Sequence, residues 1–276
     1  MNFKRIQWIF LVAFLAFDIV VGCELLLQNR FTIANGSQNK QETVLKEMRA
    51  DSISYGTLSK SQQNAYYISG SHSGDAGRLE QEMAKLHNQT ARFSDSQLTS
   101  EFDSPVKINP DHPEWRLDKL VKRSRNVPLG SDYQYNAHLS DKSTVVYTQM
   151  VKHRPVLSGD GQLRFHVNNN QQVIGYTQTY LENAATLQQR STTISQQHAI
   201  IWLYRHNQIP NNSQIRWTML GYTKLLTTNN HNRAVYVPTW TVQIKTAGTY
   251  ERLNVNAFNS TIMKSSPDTV NMDSIK

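Results

Sequence analysis

The chain has 276 residues, of which 38% are hydrophobic and 9% aromatic, so it contains enough apolar material for one or two folded domains. Its formal net charge is +8, but no run of five or six basic residues occurs, and nucleic acid is therefore not an expected partner. The single cysteine, Cys23, excludes an intramolecular disulfide framework and a metal site built from several cysteines.

The first strong signal in chain order is an apolar segment that follows Lys4 and Arg5. From Trp8 to Leu27 it has 20 residues, which as a helix would span ~30 Å, the thickness of the hydrocarbon core of a bilayer. The basic pair predicts a cytoplasmic amino terminus, with the bulk of the chain outside the cell membrane. We therefore expect a single-pass protein in which residues 1–28 form the cytoplasmic N-terminus and a transmembrane anchor.

Two other interpretations of this segment stay open. A cleavable signal peptide is disfavoured, because an Ala-x-Ala cleavage site is missing and Val20-Val21-Gly22 is a weak substitute. Together with Cys23, this run looks like a bacterial lipobox, in which the cysteine would be lipidated and become the new amino terminus. Against the lipobox, Asp18 interrupts the apolar region that a lipoprotein signal needs.

Asp18 is the unusual residue of the predicted anchor. A carboxyl group in a transmembrane helix costs ~2.5–3.5 kcal/mol near the centre on insertion scales, and it usually faces a partner rather than lipid. Phe14, Asp18 and then Val21 or Gly22 follow at spacings of three to four residues, which places them on one side of a helix. We predict that this face contacts a partner in the membrane. The alternative is a carboxyl group that is protonated or drawn to the interface.

After the anchor, polar residues without apolar periodicity at 29–41 indicate a linker. Residues 42–112 predict a small α+β domain outside the membrane. Within it we expect helices at 42–51 and 77–87, strand-like runs at 53–55 and 65–69, and a polar, irregular stretch at 88–112.

Residues 113–263 predict a larger α+β domain that is richer in strands, and residues 264–276 predict a flexible tail. In the larger domain, helices are expected at 113–122 and 194–206, the second with Ser195 as N-cap. Pro238 predicts an edge strand or a bulge. The strands are expected at 133–139, 144–151, 162–167, 173–180, 214–225, 234–245 and 250–258. The overall class is α+β, with helices packed on antiparallel sheets.

No set of residues in the sequence predicts catalysis. The nine histidines form neither a His-Glu-x-x-His motif nor an i, i+4 pair, and neither a nucleophile elbow nor a Walker loop occurs. Ser158-Gly-Asp-Gly161 stands between two strands, which favours a hairpin turn over a phosphate-binding loop. The aromatic residues of the strands are expected to be mostly core. We therefore predict a protein that is not an enzyme and that has no cofactor or metal site.

Several short motifs are weakly specific one by one, but their order along the chain indicates a family resemblance. The chain starts with Met1-Asn-Phe-Lys-Arg-Ile-Gln-Trp8, and its anchor has an aspartate late in the segment. Further motifs are Phe165-His-Val167, Ile174-Gly-Tyr-Thr-Gln-Thr-Tyr180, Leu220-Gly-Tyr222 and Val237-Pro-Thr-Trp240. In this order the motifs resemble the YycI family of low-GC Gram-positive bacteria, and the resemblance covers nearly the whole chain.

The resemblance implies a non-catalytic accessory regulator with a two-part α+β outer fold shared with YycH. YycI-like proteins are single-pass membrane proteins that associate with a YycH-like protein and with the WalK (YycG)-like sensor histidine kinase. This kinase belongs to the WalRK (YycFG) two-component system, which governs cell-wall metabolism. The contact would run partly through transmembrane helices, which gives the face of Phe14, Asp18, Val21 and Gly22 a role. The alternative function is an extracytoplasmic ligand-binding lipoprotein anchored through Cys23.

Overall fold

The structure is a computed structural model that describes residues 36–72, 77–228 and 233–263, together with Trp8 and Phe14. The chain divides into two compact units, Met1–Ala50 and Asp51–Lys276. No helix among the described residues combines the length and the apolar character needed to cross a membrane. Most of the predicted anchor at 1–28 and the predicted tail at 264–276 lie outside the described residues.

The first unit contains helix α1 (Gly36–Ala50), in which Val44 and Met48 are buried. The helix predicted from residue 42 is therefore confirmed, but it begins six residues earlier, inside the stretch interpreted as a linker. The reason is that glutamine and lysine are good helix formers, and the solvent-facing side of a helix needs no apolar periodicity.

The described residues of the second unit form three helices and three antiparallel sheets. The helices are α2 (Arg78–Met83), α3 (Glu114–Val121) and α4 (Gln196–Arg205). The strands are β1 (Asn64–Ala65), β2 (Ile68–His72), β3 (Gln89–Ser94), β4 (Gln97–Lys107), β5 (Tyr133–Tyr135), β6 (Thr144–Val151), β7 (Arg154–Pro155), β8 (Gln162–Val167), β9 (Gln172–Thr179), β10 (Leu181–Thr186), β11 (Ser191–Thr192), β12 (Gln214–Thr227), β13 (Arg233–Thr246), β14 (Thr249–Asn256) and β15 (Ile262–Met263). This part of the chain is thus mostly antiparallel sheet with few helices, as the α+β prediction requires.

The seven-stranded sheet has the order β3-β4-β9-β8-β6-β5, and β7 also pairs with β6. Alternation along its strands sends one set of side chains into an apolar core, so that Leu163 and Phe165 are fully buried on β8. The Tyr147 hydroxyl donates to Asp118 Oδ1 of α3 at 2.8 Å, which fixes this helix on the sheet. The buried members of the core are Leu79, Leu98, Ile108, Leu117, Val121, Val127, Tyr133, Val145, Tyr147, Leu163, Phe165, Val173, Tyr176 and Tyr180.

The six-stranded sheet is organised around the long strand β13. Strand β12 pairs with one side of β13 along almost its whole length, while the other side pairs first with β2 and then with β14. Strands β10 and β15 extend the sheet beyond β2 and β14. A second core lies on this sheet and consists of Ile68, Val151, Val156, Leu181, Tyr222, Ala234 and Tyr236. Most of the aromatic strand residues expected in the core are thus buried in these two clusters.

Pro238 lies in the central strand β13, so the prediction of an edge strand is wrong. The residue is tolerated because it stands where β13 changes partners. The pairing with β2 ends at Tyr236 and the pairing with β14 starts at Thr239. At this position a donor N–H is not required, and the Pro238 carbonyl still accepts from the Ala257 N–H at 2.8 Å.

The stretch at 88–112, predicted to be irregular, contains the hairpin of β3 and β4. Asp95 and Ser96 form its two-residue turn, both with positive φ, as a type I′ hairpin turn requires. The apolar residues of β3 are isolated between polar ones that face solvent, and this is why the stretch looks irregular in sequence. Because β4 pairs with β9, and β2 with β10 and β13, each large sheet takes strands from both sides of Pro113. The boundary predicted there does not separate the sheets.

Candidate functional site

The residues predicted to contact a partner in the membrane lie mostly outside the described part of the chain. Phe14 is helical and exposed. Asp18, Val21 and Gly22, as well as the possible lipidation site Cys23, are outside the described residues. The contact face therefore stays a prediction, and the described residues offer two other places for a site.

The first place is the buried carboxylate of Asp160, which joins the two large sheets. It lies in a 3-10 turn, Gly159–Gly161, that precedes β8. Its Oδ2 accepts from the Tyr236 hydroxyl at 2.9 Å, and its Oδ1 accepts from Lys224 Nζ at 3.1 Å. His72 Nδ1 lies 3.4 Å from Oδ1. These three partners stand on β13, β12 and β2, so one carboxylate contacts three strands of the other sheet.

The connection that holds Asp160 is not a hairpin turn, which corrects the prediction for residues 158–161. Strands β7 and β8 both pair with β6 and not with each other. Burial and the neighbouring Asp160 raise the pKa of Tyr236 far above its usual value, so this hydroxyl remains a donor. A carboxylate bound by a lysine and a tyrosine fits a structural junction between the sheets better than a reactive group.

The second place is a group of basic and aromatic side chains, which we call the Arg252 cluster and define as His138, Arg164, His166, Trp217 and Arg252. Strand register positions one half of it: Trp217 is paired with Gln243, and Gln243 with Arg252, so the three lie side by side across the six-stranded sheet. The Arg252 Cζ lies 6.0 Å from the centroid of the Trp217 ring. The ring of His138 stacks on the same indole at 5.2 Å and 25°.

The other half of the Arg252 cluster comes from β8 of the seven-stranded sheet. Arg164 and His166 alternate with Leu163 and Phe165, so they occupy the face opposite the apolar core. The Arg164 Nε donates to Gln162 Oε1 at 2.8 Å, which orients the guanidinium group. The cluster therefore lies where the two large sheets meet.

The electrostatics of the Arg252 cluster are dominated by positive charge. Burial lowers the pKa of Arg252, and the nearby positive charge of Arg164 lowers it further, while Asp141 acts in the opposite direction. Burial also lowers the pKa values of His166 and His138, the former with a contribution from Arg164. Both imidazoles are therefore biased toward the neutral form.

A cavity of about 350 Å³ lies beside the loop that contains Asp141. Asp141 Oδ1 accepts from the backbone N–H groups of Ser143 and Thr144, both at 2.8 Å, and these bonds hold the loop in shape. Its walls are about equally polar and apolar. It is lined by Ile108, Pro110, Pro113, Tyr135, Ala137, Ser140, Asp141, Lys142, Val145, Val167 and Gln171.

Within the described ranges, no group of three or more histidine, cysteine or acidic side chains is arranged to hold a metal ion. The Arg252 cluster could not be predicted from a local motif, because its arginines are far apart in the chain. The pattern that could have indicated the cluster is the alternation of Arg164 and His166 with buried apolar residues in one strand. It indicates that the polar face of this strand is not simply exposed to solvent.

The chain matches one protein family and is similar to several solved structures at low sequence identity. Over residues 32–258 the sequence matches the family described as YycI protein. No curated protein matches the chain. Among solved structures, an uncharacterized protein from Eubacterium rectale ATCC 33656 shares 8% identity with a TM-score of 0.48, over 78% of this chain and 89% of that one.

Two further solved structures are similar to the chain. YycH from Bacillus subtilis shares 11% identity with a TM-score of 0.41, and the match covers 71% of this chain and 53% of YycH. The C-terminal domain of YpeB from Bacillus megaterium shares 10% identity with a TM-score of 0.37, over 84% of this chain and 96% of that domain.

Proposed function

Because the chain belongs to the YycI family, we propose that it is a non-catalytic accessory regulator of a sensor histidine kinase. The observation that carries the proposal is the family match over residues 32–258, which is more than four fifths of the chain. Family membership supports a regulatory role in the YycFG system. More specifically, we propose that the chain contacts the kinase and a YycH-like protein, both in the membrane and outside it.

The mechanism is differential binding to two states of the kinase. A bound protein shifts a two-state equilibrium only by the difference between its affinities for the two states. Couplings of this kind are typically about 1–3 kcal/mol, which corresponds to a roughly 5- to 150-fold change in an equilibrium constant. No chemical step by the regulator is needed.

In the membrane, the proposed contact is the anchor face of Phe14, Asp18, Val21 and Gly22. A small residue such as Gly22 permits close approach of two helices, and a polar side chain such as Asp18 can bond across them. The cost of placing a carboxyl group in lipid is relieved when it faces a partner, which gives the aspartate a reason to be there.

Outside the membrane, the six-stranded sheet offers an apolar contact for a YycH-like protein. Leu225 and Leu226 are both exposed near the end of β12, and the register of β12 against β13 shifts between Lys224 and Leu226. A bulge of this kind bends the strand and re-aims its side chains. Two adjacent exposed leucines support a protein contact at this end of the sheet.

Affinity purification of the full-length chain from gently solubilised membranes tests the proposal, with mass spectrometry of the bound proteins and of the chain's own amino terminus. We expect a sensor kinase and a YycH-like protein to be recovered, and Asp18→Leu to lose the kinase while still inserting into the membrane. Ile19→Leu, at the next position in the sequence, is the matched control and should retain both partners.

Two results would contradict this function. The first is the absence of kinase and YycH-like protein from the wild-type preparation. The second is a lipidated Cys23 as first residue without kinase, which would remove the predicted anchor and favour the extracytoplasmic ligand-binding lipoprotein.

A further inference from the structure

We propose that the outward face of helix α3 is a contact surface for the headgroups of an anionic lipid bilayer. We call it the basic face of α3 and define it as Trp115, Arg116, Lys119, Lys122 and Arg123. All five side chains are exposed. The inference goes beyond the proposed regulation of a kinase, because it concerns lipid and needs no protein partner.

Helical spacing brings these five residues to one side of α3. Trp115, Lys119 and Lys122 follow one another at steps of four and three residues, and Arg116, Lys119 and Arg123 at steps of three and four. Residues three and four apart are neighbours on the surface of a helix. The basic residues are interrupted in the sequence, and only the helix gathers them on one surface.

The opposite side of the helix is fixed on the protein core. Leu117 and Val121 are buried in the core of the seven-stranded sheet. The helical course continues to Lys122, whose φ of −68° and ψ of −9° are helical and whose N–H donates to the Asp118 carbonyl at 3.2 Å. The basic face is therefore presented to solvent by a helix that cannot turn over without exposing its apolar side.

The acidic side chains of this region do not neutralise the basic face. Residues 111–125 contain five basic and three acidic residues. Glu114 Oε1 lies 3.2 Å from His112 Nδ1, and Asp118 Oδ1 accepts from the Tyr147 hydroxyl at 2.8 Å. Among the described residues, none of the ion pairs includes a member of the basic face. Four neighbouring positive charges thus face solvent, and such a surface attracts an anionic one.

Trp115 adds an aromatic group to the charged surface, and this favours a bilayer over a soluble polymer. The side chain is 63% exposed, and its indole stacks on the ring of His112 at 4.3 Å and 5°. Tryptophan is enriched at membrane–water interfaces, because its ring is apolar and its N–H is polar. A phosphate polymer in solution would contact the basic residues and leave the indole uncovered, whereas the surface of a bilayer accommodates both.

The expected strength of the contact follows from the charges. Each lysine or arginine near an anionic bilayer contributes about fivefold to the equilibrium between the docked and the free face. The attraction acts over the Debye length, which is about 10 Å in 0.1 M salt and about 3 Å in 1 M salt. The contact should therefore depend on both anionic lipid and salt concentration.

The test measures the fluorescence of Trp115 in lipid nanodiscs that contain the full-length chain. The discs consist of phosphatidylcholine alone or mixed with phosphatidylglycerol, and part of the lipid is brominated, because bromine quenches nearby indoles. The chain has five tryptophans, so each variant is also prepared with Trp115→Phe, and the difference between the two signals belongs to Trp115. We expect quenching in the anionic discs at about 0.1 M salt, and its loss in neutral discs or at about 1 M salt.

Arg116→Gln combined with Lys119→Gln should lower the ratio of docked to free face by about 25-fold, at about fivefold for each charge. Lys60→Gln combined with Arg190→Gln is the matched control, because it removes one lysine and one arginine from exposed positions outside α3. The control should change the ratio by about twofold or less, since salt screens charges that do not lie at the bilayer. Thermal unfolding followed by circular dichroism verifies that each variant is folded.

The proposal is overturned if Trp115 is not quenched in the anionic discs, or if the control variant reduces quenching as much as the α3 variant does. It is also overturned if soluble poly(glycerol phosphate) changes the emission of Trp115 in neutral discs while anionic lipid does not, since the occupant would then be a polymer. A chain that does not insert into either disc would contradict the predicted anchor instead. The same Trp115 signal is then measured with vesicles of these lipids added to the chain.

Discussion

At the scale of single residues, Asp160 shows how one charged side chain can hold two sheets together. The glycine that follows it, Gly161, lets the turn come close to Gln149 of β6 and to Val156 just after β7. The carboxylate of Asp160 contacts β2, β12 and β13. Removing one member of a buried ionic contact leaves the charge of its partners uncompensated. The resulting loss of unfolding free energy is larger than the net contribution of the intact contact.

We therefore predict that Asp160→Ala lowers the free energy of unfolding by roughly 3–5 kcal/mol, because Lys224 and Tyr236 lose their acceptor. Urea unfolding followed by circular dichroism measures the change. Asp103→Ala, at an exposed position of β4, is the control and should change the midpoint little. Equal midpoints for both variants would mean that Asp160 does not join the sheets.

His166 is expected to make the free energy of unfolding depend on pH, and the direction of this dependence follows from the groups around its side chain. Burial, and next the charge of Arg164, lower its pKa in the folded chain, so the unfolded chain takes up a proton at higher pH than the folded chain does. The free energy of unfolding should then fall as the pH drops below about 6.5, the ordinary histidine pKa. We predict that His166→Gln makes this fall shallower between neutral and mildly acidic pH, as measured by urea midpoints.

His138 and His198 also have lowered pKa values, so some pH dependence should remain in the His166 variant. An unchanged slope after the substitution would contradict the assignment. At this scale the sequence predicts little: it identifies histidines, but burial and neighbouring charges appear only when β8 is placed in its sheet.

At the scale of elements, the close approach of β4 and β9 depends on Gly175. A Cβ atom at this position would overlap the Ser100 carbonyl oxygen, which is backbone and cannot rotate away. Gly175→Ala should cost about 1–3 kcal/mol of unfolding free energy, since the strands must separate. Gly56→Ala is the matched control, because its Cβ would meet no atom within 4 Å. Thermal melting of the two variants tests this, and similar melting temperatures would contradict it.

Local signals predicted the elements well where they were present. Helix α4 follows Ser195, whose side chain accepts from the His198 N–H at 3.2 Å, and this N-cap was predicted from the sequence. Strands β6 and β8 have the bounds that their β-branched and aromatic residues indicated. The hairpin of β3 and β4 was not predicted because β4 is stabilised by pairing with β9, to which no local pattern points.

At the scale of the whole molecule, pairing between segments that are far apart in sequence determines those parts of the fold that local patterns do not predict. β2 lies between β10 and β13, although more than 100 residues separate it from each of them along the chain. The same long-range pairing leaves Pro238 in a central strand. A domain boundary drawn from local composition near Pro113 cannot anticipate such pairing, whereas an ordered series of motifs identified the family.

In the proposed function, the chain regulates a sensor kinase by preferring one of the two states of the kinase. The most direct measurement is the initial rate of kinase autophosphorylation in proteoliposomes that contain the kinase and a YycH-like protein, with and without the full-length chain. We predict that the wild-type chain and Ile19→Leu change this rate several-fold, in line with ordinary coupling energies, and that Asp18→Leu does not. An unchanged rate with saturating wild-type chain would contradict the proposed regulation of the kinase.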